Sequence, residues 1–140
     1  MFSTLFRRRT LPPDYYGEAL ALREAGKYRE SLISFRLALR REPEDADILV
    51  QIGITYGRLG MVREARQMYH EAITRGVAGG HYGLAFLDLR DGRTAEAMGH
   101  LRAFLEDAPD DERVKRHVAH ARSTLDRLVG QNGASRAGSA

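Results

Sequence analysis

The stretch Gly26-Lys27-Tyr28-Arg29-Glu30-Ser31 returns as Gly60-Met61-Val62-Arg63-Glu64-Ala65 and again as Gly92-Arg93-Thr94-Ala95-Glu96-Ala97. The three glycines stand 34 and then 32 residues apart, so the chain repeats internally and its third copy is two residues short. In the same register Phe35 aligns with Tyr69 and Leu101, and Ala38 with Ala72 and Phe104. Leu39 falls with Ile73 and Leu105, and the unit closes at Pro43, Val77 and Pro109. Upstream, Ala19, Gly53 and Ala85 share one position. The missing pair is placed in the Gly76 to Gly80 connection.

Each recurring residue has a physical reason. A glycine after a helix supplies the left-handed backbone turn that ends it and reverses the chain. Small residues at Ala19, Gly53 and Ala85, facing Ser31, Ala65 and Ala97, let two antiparallel helices approach closely. The Phe35, Tyr69 and Leu101 position fills the space beside them. Proline stops the second helix, and Asp45, Asp47, Asp110 and Asp111 are placed to cap the helix that follows. Glu30, Glu64 and Glu96 recur once per unit, which fits a helix start better than catalysis. A helix pair of this kind cannot bury its apolar face alone, so pairs stack into one continuous core.

These residues resemble the tetratricopeptide repeat (TPR) family, whose 34-residue signature sets an aromatic, Leu-Gly, Tyr, Ala, Phe and Pro in fixed order. The second unit matches best through Leu49, Gly53, Tyr56, Gly60, Ala65, Tyr69 and Ala72. The first follows with Tyr15, Ala19, Gly26, Phe35, Ala38 and Pro43. The third departs from the pattern: His81 stands at the aromatic position, Asp88 at the tyrosine and Phe104 at the second alanine. The resemblance implies an all-α, right-handed α–α superhelix of three helix hairpins, over about residues 12–45, 46–77 and 78–111. Val114, Val118, Ala121, Leu125 and Leu128 then recur at helical spacing and mark a capping helix over about 111–129. Its solvent face is read as Arg113, Lys115, Arg116, His120 and Arg127. Residues 130–140, rich in Gly, Ser and Ala, read as a flexible tail.

The chain has 140 residues, enough for one domain with a core of its own. It has no cysteine, which excludes disulfides, thiolate metal sites and a cysteine nucleophile. No apolar run approaches the roughly 18 residues needed to cross a bilayer. The first residues place Arg7, Arg8 and Arg9 after Phe2, Leu5 and Phe6, the reverse of a secretory signal, so a cytoplasmic location is expected. Of 22 basic residues only Lys27 and Lys115 are lysine, a bias that fits a GC-rich genome, and the net charge is a modest +3.

The resemblance also indicates where binding would occur. In the TPR pattern the first helix of each pair lines the concave side. Its groove positions fall here on Tyr16 and Leu20, on Val50 and Ile54, and on Tyr82 and Phe86, with Arg23, Arg58 and Arg90 near the helix ends. TPR domains that clamp a C-terminal carboxylate use Lys and Asn at such positions. This chain has neither, so the expected surface is an apolar groove rimmed by arginine, suited to an amphipathic helix or extended apolar segment of another protein. The bland alternative is that a short superhelix curls until these side chains pack on one another. The N-terminal contact candidates Phe2, Leu5, Phe6, Arg7, Arg8 and Arg9 leave three readings open: weak membrane-surface contact, insertion into a groove to give a homo-oligomer, or a sticky terminus.

Rival functions are poorly served. His117 and His120 are three apart on a helix, but no third metal ligand accompanies them, and the pair reads as solvated. There is no phosphate loop or nucleophile elbow, and the glycines from Gly76 to Gly83 lack the preceding strand a nucleotide site needs. No cofactor, metal or catalytic residue is therefore expected. Acidic residues interleave with the arginines, which argues against nucleic acid as the partner. The expected role is a non-catalytic adaptor or scaffold. The alternative is a permanent structural subunit that self-assembles or associates with a membrane.

Overall fold

A computed structural model describes residues 11–138, and the N-terminal contact candidates from Phe2 to Arg9 lie outside it. Among the described residues the chain forms seven helices and no strand: α1 Tyr15–Glu24, α2 Tyr28–Arg41, α3 Asp47–Arg58, α4 Val62–Thr74, α5 Gly79–Arg90, α6 Thr94–Asp107 and α7 Glu112–Gly138. Consecutive helices pair as α1 with α2, α3 with α4, and α5 with α6.

The repeated glycines do what their spacing requires. Gly26, Gly60 and Gly92 sit at φ 77°, 76° and 74°. Behind each, an amide reaches back across the helix end: Lys27 to Leu22 (2.9 Å), Met61 to Tyr56 (2.9 Å) and Arg93 to Asp88 (2.8 Å). This is the Schellman closure, which satisfies a helix-end carbonyl and turns the chain within two residues. Gly76, at φ 83°, ends α4 in the same way and stands in for the proline that unit two lacks at Val77. Glu30, Glu64 and Glu96 all lie in the first turns of α2, α4 and α6.

Capping differs in part from expectation. Asp14 accepts the amide of Gly17 at 2.9 Å to cap α1, and Asp111 accepts that of Arg113 at 2.9 Å to open α7. Asp45 is only a distant acceptor (3.2 Å) for the amide of Asp47, which is itself in the first turn of α3.

Buried side chains run along the array in three packed clusters. Ala19, Phe35, Ala65, Leu84, Ala85, Ala97 and Leu101 are completely buried. Ser31 joins its pair by donating its hydroxyl to the carbonyl of Ala19 at 2.8 Å, so the small residue also satisfies a buried group. The Gly79-Gly80 pair is not connection but the first turn of α5. A Cβ on Gly80 would collide with the carbonyl oxygen of Tyr69, so this glycine lets α5 rest on the backbone of α4.

The first helices α3 and α5 pack directly on each other, whereas no comparable packing joins α1 to α3, α2 to α4 or α4 to α6. Together α1, α3 and α5 form the layer that the family resemblance expects on the inner, concave side.

The last helix corrects the sequence reading. Residues 130–138 continue α7 without a break, where a flexible tail was expected after about residue 129. Helical bonding propagates cheaply from a turn already packed at Leu128, and no proline interrupts it. Gly130 and Gly133 face open space, so they weaken the helix without ending it.

Candidate binding groove

The groove is built from the inner layer, one helix at a time. On α1, Tyr16 is 37% exposed and meets Phe35 edge-on, and Leu20 is half-buried beside it. On α3, Val50 and Ile54 are half-buried against the same core. Val50 lies where a Cβ on Gly79 would touch it at 3.5 Å, so the second and third units are in contact at this point. On α5, Tyr82 and Phe86 are half-buried, with ring centres 4.8 Å apart. The inner face therefore carries six partly exposed apolar side chains across three adjacent helices.

The third of these steps is not open as expected. The last helix lies over it. Phe86 stacks on the His120 ring at 4.9 Å with the planes 6° apart, and Tyr82 meets His117 edge-on at 5.0 Å. The Tyr82 hydroxyl also lies 2.7 Å from His120 Nδ1. His117 and His120 are exposed, as the solvent-face reading expects, yet α7 also sets both rings against the aromatics of α5, so Tyr82 and Phe86 form the junction between groove floor and a fourth wall. At this third step the bland alternative, mutual packing, holds in part.

The arginines divide. Arg23 is half-buried and bridges two units, donating to the carbonyl oxygen of Gln51 at 3.3 Å and to its Oε1 at 2.8 Å. Burial and then the charge of Arg58 lower its pKa, opposed by Tyr16, Tyr69 and Glu24. Arg58 and Arg90 are exposed in the last turns of α3 and α5.

Sequence reasoning missed Tyr69 as a groove element. It belongs to the outer helix α4, yet its ring lies 2.6 Å from where a Cβ of Gly53 would be and 2.5 Å from that of Gly83. The side chain is thus wedged between α3 and α5, and burial pushes its hydroxyl up to about 12. The pairing of two glycines with one tyrosine was the available signal.

The departures in the third unit form a polar cluster. Asp88, at the family's tyrosine position, is 2% exposed, and its Oδ1 pairs with Arg66 Nη1 at 2.7 Å. Arg66 also holds Asp91 at 2.8 Å. The His100 Nε2 stands 3.7 Å from Asp88 Oδ2, and its Nδ1 lies 3.0 Å from Nδ1 of His81. Burial holds both imidazoles below the usual histidine range; the His100 charge adds to this at His81, while Asp88 opposes it at His100. With Asp88 held by a guanidinium and the imidazoles facing each other, the cluster ties α4, α5 and α6 together.

Among the described residues no group of three or more His, Asp or Glu side chains is placed to hold a metal ion. None of their helices is long and apolar enough to cross a membrane. A cleft of about 260 Å³ beside Tyr16 is smaller than the roughly 300–1,000 Å³ of a small-molecule pocket.

No family model matches the chain, and no curated protein matches it in sequence. Solved structures do match it. The type III secretion translocator chaperone SycD of Yersinia enterocolitica superposes with a TM-score of 0.72 at 19% identity, covering 81% of this chain and 86% of that one. A second structure of SycD, described as an alternative dimer, gives 0.74 at 19% identity over 84% and 91% of the two chains. SycD in complex with a peptide of the translocator YopD gives 0.72 at 18% identity over 84% and 92%. The fold is a TPR-like superhelix of helical hairpins. At such identities the likeness is one of fold alone.

Proposed function

We propose that this chain is a non-catalytic, cytoplasmic member of the TPR family that holds an apolar helical or extended segment of another protein in its concave groove. The carrying observation is the run of Tyr16, Leu20, Val50 and Ile54 left partly exposed on adjacent inner helices, continued by the aromatic pair Tyr82 and Phe86. Contiguous apolar surface of this kind marks a contact, and each anchor it buries contributes roughly 1.5–3 kcal/mol. The SycD complex with a YopD peptide supports the reading, since the same architecture there accommodates a peptide.

A second reading, a self-assembling subunit, is favoured by Ile33, which is 60% exposed on α2 away from the groove. One pair of variants separates the two. Ile54→Asp should abolish crosslinked capture of a partner while helicity and solution mass stay unchanged. Ile33→Asp should leave capture intact, and it should lower the solution mass only if the chain self-associates. Capture that survives Ile54→Asp would sink the groove reading.

A further inference from the structure

The two long edges of the groove carry opposite charge. Arg23, Arg58 and Arg90 occupy the last turns of the three inner helices and therefore line one edge. At the other edge stand Asp14, the cap of α1, and Asp47, in the first turn of α3, with Asp45 just before it. Arg58 and Arg90 have no carboxylate within ion-pair distance among the described residues, whereas Arg75 and Arg113 each have one and Arg66 has two. The neighbouring helix ends oppose each arginine with only about half a charge, so the edge stays cationic. Glu24 relieves it at α1, leaving the field strongest at α3 and α5. The α7 wall adds Arg113, already committed to Asp111 at 2.6 Å, and the two imidazoles over Tyr82 and Phe86.

Resting on the groove reading, we infer that the occupant is a peptide segment with apolar anchors and carboxylates along one side, set against Arg58 and Arg90. Charge complementarity carries this choice. Carboxylates on that side meet unpaired guanidinium groups suited to bidentate contact, while carboxylates on the other meet Asp14, Asp45 and Asp47. The field therefore selects which acidic segments bind and also fixes which way round they lie. A nucleic acid suits the arginine edge but gains nothing from the apolar floor and is repelled by the acidic edge.

The test is selection of a random 12-residue peptide library on the full chain, followed by anisotropy titration of synthetic copies of the enriched peptides. The expected result is peptides that combine apolar residues with net negative charge. Their affinity should fall about tenfold in Arg58→Glu/Arg90→Glu, weaken with added salt, and vanish in Ile54→Asp. Neutral or basic apolar peptides that still depend on Ile54 would overturn the acidic occupant and leave the groove standing. Enrichment of nothing that depends on Ile54 would overturn both. Binding of a single-stranded RNA oligomer lost in Arg58→Glu but kept in Ile54→Asp would also overturn the acidic peptide.

Discussion

The junction between the first and second units and that between the second and third solve one problem with different chemistry. In both, an arginine of an outer helix reaches forward to the inner helix of the next unit: Arg36 to the Tyr56 hydroxyl, and Arg66 to Asp88. Tyrosine brings its own apolar body and needs only a partner for its tip. Asp88 is a buried charge that depends on its partner throughout. The first junction should therefore tolerate loss of its arginine, and the second should not.

The largest expected effect is the direct comparison. Arg66→Ala should cost about 3 kcal/mol, because it strands the Asp88 carboxylate, whereas Arg36→Ala should cost under about 1 kcal/mol. Urea unfolding followed by circular dichroism measures both, and equal losses would break the contrast. The double change Arg66→Leu/Asp88→Leu should recover most of the loss, since removing both partners leaves no buried charge.

A smaller effect separates glycines that look alike in sequence. Gly80→Ala forces α5 off the Tyr69 carbonyl and should cost about 2 kcal/mol. Gly57→Ala, with nothing within 4 Å of the new methyl group, should stabilise α3 by up to about 1 kcal/mol. Melting temperatures that move in the same direction in both variants would contradict the close approach at α5.

The smallest effect is a pH dependence confined to the third unit. His81 and His100 have lowered pKa values in the folded chain, so the unfolded chain binds more protons below the ordinary histidine value of about 6.5. Their contribution is present above that value and is lost as pH falls through the lower folded values. His70 and Arg66 oppose protonation of this pair as well, while Asp107 favours it at His81 and Asp88 at His100. Thermal melts between pH 7.5 and 5 should show a decline that His100→Gln flattens. An unchanged slope in that variant would remove the histidine pair as its source.

Local requirements were legible in the sequence, and long-range partnerships were not. Gly26, Gly60 and Gly92 could be read because a left-handed turn favours one residue type, and Ala19, Ala65 and Ala97 because close helix packing favours another. The same register singled out Tyr16, Leu20, Val50 and Ile54, which the fold leaves partly exposed. Asp88 could be seen as a departure from the pattern, but its partner Arg66 lies on another helix and no spacing points to it. His120 is exposed as its polarity suggests, but helical periodicity ranks faces by polarity and gave no sign that its ring also stacks on Phe86. Gly130 and Gly133 suggested an end to α7 on composition, yet a helix already nucleated on the core carries past them.

Tyr69 has a consequence beyond the core. It acts as a shim, driven from the back of the array between the two inner helices at Gly53 and Gly83. The spacing of the candidate groove's floor is thereby set by a residue on the outer helix α4. A different side chain at that one position would narrow or splay the groove while the side chains proposed to meet a guest kept their chemistry. Width and lining can thus be adjusted separately.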